Sequence, residues 1–92
     1  MLFVALMRLR EGKMQSAIEQ RMQWEFPEGV KRVGEYWLTT NDPKCISIYE
    51  ADSYEPILQM NTAWDDAFDA QTFSAVTAEQ GMEWIKKVMM AQ

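Results

Sequence analysis

Histidine is absent from the 92-residue chain, and cysteine occurs once, as Cys45. The first absence removes the commonest general base, the usual hydrolytic triad and the commonest metal ligand. A lone thiol excludes an intramolecular disulfide and any multi-cysteine zinc site. The four glycines stand apart from one another, so no phosphate-cradling loop exists. Basic residues are also short: nine Lys and Arg face fourteen Asp and Glu, for a net charge of −5. That is the wrong sign for neutralising nucleic-acid phosphates. The one sustained apolar run, Met1 to Met7, is too short to cross a bilayer and leads into Arg8 and Arg10. It lacks the basic start and the small-residue cleavage site of a leader. With no Asn-x-Ser/Thr sequon either, these absences point to a cytoplasmic protein that meets neither nucleic acid nor membrane.

Apolar residues, by contrast, are plentiful. They make up 48% of the chain and include eight Met and four Trp. A chain of this length forms one domain, residues 1–92, and hides only about 60–65% of its unfolded surface. The apolar content therefore exceeds what one small interior needs.

Its distribution gives the element order. Leu2 to Leu9 is apolar on both faces of a strand, with Phe3, Ala5, Met7 and Leu9 opposed to Leu2, Val4 and Leu6. A central strand covered on both sides requires that pattern. Gly12-Lys13 turns into a helix over about Met14 to Trp24, with Met14, Ala17, Ile18 and Met22 as its stripe. Pro27 and Glu28-Gly29 end it. Val30 to Thr39 reads as a strand, Asn41-Asp42-Pro43 as a turn, and Cys45 to Tyr49 as a second, uncharged central strand. A turn centred on Asn41-Asp42 sets Trp37 opposite Ile46 and Tyr36 opposite Ser47. Asp52 or Ser53 can cap a second helix, with Pro56 in its first turn and Ile57, Met60 and Trp64 on its buried side. Ala70 to Val76 is a weaker fourth strand. Thr77-Ala78-Glu79-Gln80 opens a terminal helix striped by Met82, Ile85, Val88 and Met89, with Lys86 and Lys87 toward its negative end.

The order β-α-β-β-α-β with an added C-terminal helix predicts an α+β, ferredoxin-like domain, with a four-stranded antiparallel sheet and two helices on one face. The sheet's other face is then left open, and its two central strands are apolar on that side as well. A homodimer that packs two sheets face to face covers them and absorbs the apolar surplus.

Glu28-Gly29-Val30-Lys31, Gly34-Glu35-Tyr36-Trp37, Glu50-Ala51-Asp52 and Trp64-Asp65-Asp66 resemble the domain-of-unknown-function family 3303. The likeness extends to about Val76. It implies a dimeric α/β barrel, in which two ferredoxin-like sheets form one shared barrel. Members of that family often carry a Trp-His pair where this chain has Tyr36-Trp37, so this chain lacks the one residue there that could titrate near neutrality. The wider superfamily includes cofactor-free monooxygenases, haem enzymes, lactone isomerases and ligand-sensing domains, and fold alone does not choose among them. A haem held by His is excluded by composition, and no cofactor is implied.

Several residues are candidates for a site. Tyr36, Trp37, Tyr49, Trp64 and Phe68 can line an apolar pocket between sheet and helices, with Glu35, Asn61, Cys45 or Ser47 as its polar groups. Unless a cavity is present, the same aromatics read first as core and interface filling. Asp65, Asp66 and Asp69 have the oxygen chemistry of a hard-cation site, but lack the spacing of a calcium loop and read as a solvated helix end. Cys45, on a central strand, reads as a small buried apolar residue. The Met residues are packing elements, and Arg8, Arg10, Lys31 and Arg32 fit paired surface charges. The expected function is a homodimeric binding or accessory module with a pocket for a small aromatic ligand, formed from Glu35, Tyr36, Trp37, Tyr49, Asn61 and Trp64. The alternative is a cofactor-independent monooxygenase- or isomerase-like enzyme on a phenolic or quinol-like substrate.

Overall fold

The computed structural model describes residues 1–91. Strand β1 (Leu2–Leu9) leads through a turn at Gly12 (φ 76°) into helix α1 (Met14–Met22). A second left-handed glycine, Gly29 (φ 87°), feeds the hairpin of β2 (Val30–Trp37) and β3 (Cys45–Ala51). These are conformations that a side chain would strain. Helix α2 (Glu55–Trp64), strand β4 (Phe68–Ala75) and helix α3 (Ala78–Met90) complete the order. The strands form one antiparallel sheet in the order β2-β3-β1-β4. The two strands that read as apolar on both faces, β1 and β3, are the central pair.

Sheet register divides the side chains between two faces. Phe3, Ala5, Cys45, Ser47, Tyr49 and Ala51 are buried on the face covered by α1 and α2. On the opposite face Val4 aligns with Ile48 and Phe73, and Leu6 with Ile46, whose other neighbour is Tyr36. Among the described residues no helix covers that apolar grid, and Tyr36 and Phe73 stand more than half exposed on it. Ion pairing brackets it at one end, where Arg8 meets Asp69 at 2.9 Å.

Helix α2 packs as its spacing predicts, with Ile57, Met60 and Trp64 buried. Ile57 and Phe68, each 1% exposed, are the largest fully enclosed side chains, and each contributes about 1.5–3 kcal/mol by burial. Two expectations for the helices are corrected. First, of the stripe Met14, Ala17, Ile18 and Met22, only Ala17 is buried. Helix α1 is rotated so that Ala17, Gln20, Arg21 and the following Trp24 face inward, because Gln20 Nε2 donates to the Ala63 carbonyl at 2.9 Å and Trp24 stacks edge-on against Trp64. Second, α2 is capped by Tyr54 without a side-chain hydrogen bond, not by Asp52 or Ser53.

The hairpin register also differs from the expected one by a single residue. Trp37 pairs with Cys45, Tyr36 with Ile46 and Glu35 with Ser47. The Leu38 N–H donates to the Lys44 carbonyl at 2.7 Å, and Lys44 Nζ returns to the Leu38 carbonyl at 2.9 Å, which centres the loop on Asn41. One residue of slip exchanges the two faces of a strand. The observed register therefore turns Glu35 and Trp37 toward the helices and Tyr36 toward the open face.

Helix α3 begins as the capping pattern predicts, with Thr77 Oγ1 accepting from the Gln80 N–H at 3.1 Å. Its apolar stripe, however, is exposed, and the helix has no buried residue. Among the described residues, no helix is long and apolar enough to cross a membrane.

Candidate site between the sheet and the helices

A bulge in β2 prepares the site. The register between β2 and β3 shifts between Arg32 and Gly34, with Val33 as the extra residue. Bulges re-aim the side chains that follow them, and here Glu35 and Trp37 project beneath α1. Arg21, in the last turn of α1, closes on Glu35 as a two-pronged ion pair: Nε donates to Oε2 at 2.9 Å and Nη2 to Oε1 at 3.0 Å. Trp37 Nε1 donates to Glu35 Oε2 at 2.8 Å. Arg32 lies 3.7 Å from the same carboxylate, on its solvent side.

Behind this cluster runs a chain of six aromatic rings. Trp37 meets Phe68 at 6.2 Å between centroids, Phe68 meets Trp64 at 5.8 Å, and Trp64 meets Trp24 at 5.4 Å. Trp24 continues to Phe26 at 6.1 Å, and Phe26 to Tyr49 at 5.8 Å. Most of these contacts are tilted or edge-to-face, the arrangement that ring quadrupoles favour. The Arg21 guanidinium also lies 5.7 Å above the Phe26 ring. Rings and polar groups together line a cleft with about 30 Å³ of internal room, enough for a water-sized occupant.

Five of the six residues expected at a site, Glu35, Trp37, Tyr49, Asn61 and Trp64, line this cleft, together with Cys45, Ser47 and Phe68. Asn61 is oriented by its Nδ2, which donates to Thr72 Oγ1 at 3.0 Å. Tyr36 is apart from them, on the open sheet face. Arg21, Trp24 and Phe26 also line the cleft and were not anticipated. Their signal is present in α1, where Ala17, Gln20, Arg21 and Trp24 follow helical spacing, but the more apolar stripe beside them masks it.

The electrostatics are those of a satisfied cluster. Burial pushes the Glu35 carboxyl up, but hydrogen bonds from Arg21 and Trp37 and the charges of Arg21 and Arg32 outweigh it. The group therefore stays ionised below its ordinary value. Glu35 in turn raises the Arg21 guanidinium by hydrogen bonding. Burial pushes the Cys45 thiol up to about 12, helped by the nearby Glu35 charge, and burial likewise lifts the Tyr49 phenol. Cys45 and Tyr49 are thus neutral at physiological pH.

Away from the cleft, the acidic run is divided among three cations. Asp65 pairs with Arg10 at 3.2 Å, Asp66 with Lys13 at 3.2 Å and Asp69 with Arg8 at 2.9 Å. Among the described residues, no group of three His, Cys, Asp or Glu side chains is placed to hold a metal ion.

Fold and cleft together define a ferredoxin-like α+β domain with an aromatic, ion-paired cavity under its helices. Residues 1–89 match the family described as Domain of unknown function (DUF3303), and the chain belongs to that family. The match runs beyond Val76 and takes in most of α3. Comparison with curated proteins and with solved structures returned no match.

Proposed function

We propose that the protein is a homodimeric binding module whose cleft accepts a small planar aromatic ligand bearing a hydrogen-bonding group. The observation that carries this reading is the convergence of Arg21, Glu35, Ser47, Tyr49 and Asn61 inside an aromatic wall. These groups are partnered within the chain, Arg21 to Glu35 and Asn61 to Thr72, so a ligand is recognised by exchanging those bonds for its own. The titration of the cleft favours binding over acid–base chemistry. Glu35 is held ionised, and Cys45 and Tyr49 are held protonated, so these three lie away from the neutral range that a proton-transfer catalyst uses.

The cleft is closed in this conformation. A benzene-sized guest needs a cavity of about 150 Å³, well above the 30 Å³ here. Trp37, 37% exposed on an edge strand and tethered to Glu35 by one hydrogen bond, is the side chain that moves to admit a ligand. Thermal-shift and tryptophan-fluorescence titrations with phenols, benzoates and hydroxyquinolines test the reading. At least one class is expected to stabilise the wild type, and Trp37→Ala is expected to bind it more tightly by opening room. Silence from the wild type and from Trp37→Ala across the panel overturns the ligand reading. Oxygen consumption or turnover of a phenol or quinol above buffer would favour the cofactor-independent enzyme instead.

The dimer half of the proposal rests on the uncovered grid of Val4, Leu6, Ile46, Ile48 and Phe73. Light scattering after gel filtration tests it, with a mass of two chains expected and a monomer at micromolar concentration refuting it.

A further inference from the structure

Helix α3 is an anomaly of folding physics. A helix of 13 residues is marginal in water unless it buries a face against something, yet α3 buries none of its residues. Trp84, Ile85, Val88 and Met89 are each more than half exposed. At 100° per residue they share one side of the helix with Met82, while Glu79, Glu83, Lys86 and Lys87 share the other. This is the pattern of a helix that packs, on a helix whose apolar side is exposed.

The dimensions show how far it reaches. The radius of gyration is 15.5 Å and the molecule measures 52 × 29 × 17 Å, whereas a compact chain of this length has a radius near 12 Å. Its accessible surface is 6676 Å², against about 5,500 Å² for a compact monomer of the same mass. The excess of roughly 1,100 Å² matches what one partner commits to a standard stable interface, about 800 Å², with some to spare.

We propose that α3 is an arm that packs its Trp84–Ile85–Val88–Met89 side on a second copy of this chain. The inference rests on the homodimer reading and extends it, because only Val76 and Thr77 separate α3 from β4, a strand of the open sheet face. Phe73, exposed on the open sheet face, is followed in the chain by exposed Val76 and then by the start of α3 at Ala78. A copy seated on the sheet face is therefore next to the arm. The polar side of α3 carries two Glu and two Lys, so its own charge is balanced and gives no attraction to an anionic lipid surface.

The test uses the full chain carrying Ile85→Glu and Val88→Glu together, since neither side chain supports the body of its own domain. Sedimentation equilibrium over a dilution series is expected to show a wild-type dimer, and an association about a hundredfold or more weaker in the double variant. Glu83→Gln, on the polar side, is expected to match the wild type. Amide exchange supplies the second measurement. Protection of residues 80–90 should be present in the dimer and fall away on dilution, as it must for a helix held by a partner. A wild-type dimer whose strength is untouched by the double substitution overturns the arm while leaving the sheet-face dimer standing. Protection that persists in a diluted monomer also overturns it, by showing that α3 folds back on its own chain. A wild type that is monomeric throughout removes both.

Discussion

Glu35→Gln isolates the Arg21–Glu35 ion pair that lines the cleft. The carboxylate side chain is 13% exposed and its partner Arg21 is 31% exposed, and the two meet through hydrogen bonds of 2.9 and 3.0 Å. Exposed pairs contribute about 0.2–1 kcal/mol, while breaking a fully buried pair costs about 3–5 kcal/mol. With the guanidinium about one-third open to water, the expected coupling between Arg21 and Glu35 is about 1–2 kcal/mol. For a chain of this size that lowers Tm by roughly 4–16 °C. The substitution keeps an acceptor for the Trp37 N–H, so the loss is mainly ionic. Urea melts of the wild type, Glu35→Gln, Arg21→Gln and the double variant form the cycle, at one fixed protein concentration because dimerisation would otherwise shift the midpoints. The pH dependence has a definite sign. In the fold the Glu35 carboxyl titrates below its ordinary value of 4.5. Its contribution is therefore complete above that value and is lost as pH falls through the lower folded value. Glu35→Gln should flatten this part of the acid limb and leave the neutral-to-basic side parallel to wild type. A coupling below about 0.3 kcal/mol, at the bottom of the exposed-pair range, or an unchanged acid limb, would refute the view that this pair is a partly buried, stabilising one.

Phe68→Ala empties the centre of the aromatic chain, where the ring is 1% exposed between Trp37 and Trp64; a loss of about 3–5 kcal/mol is expected in chemical denaturation. The Cys45 thiol, buried and raised to about 12, should react with a disulfide reagent at neutral pH only as fast as the protein opens; rapid stoichiometric labelling of the native protein would contradict its placement. Phe73→Glu puts a charge on the β4 side of the open sheet face, beside Val4, without touching the helix-covered core. It is expected to convert a dimer to a folded monomer by light scattering, with unchanged far-ultraviolet circular dichroism from the sheet. Arg32→Gln, by contrast, removes a long, half-exposed contact of 3.7 Å and should move stability by less than about 0.5 kcal/mol.

Local pattern was sufficient for much of this molecule. The runs Leu2 to Leu9 and Cys45 to Tyr49, the first apolar on both sides and the second uncharged, identified the central strands. Ile57, Met60 and Trp64 identified the inward side of α2, and Thr77 marked the start of α3. Each is a periodicity or a cap, carried by residues close together in the chain. The cleft was legible by composition, because aromatic and polar residues that cannot all be surface residues cluster around the hairpin. Its geometry was not. Arg21 reaches Glu35 across 14 positions and Arg8 reaches Asp69 across 61, and neither partner is marked by anything near it in sequence.

Sequence alone therefore determined the order of elements, the two central strands and the exclusion of imidazole chemistry, because absence and periodicity are properties of the chain itself. Tertiary structure decided the hairpin register, the rotation of α1 and the exposure of the α3 stripe. Those are choices among near-equivalent local arrangements. One residue of slip sends Trp37 to one face or the other, and a partial turn of α1 trades Met22 for Arg21. Such choices are settled by which arrangement pairs Glu35 and buries Phe68, and that information lies in contacts between distant segments.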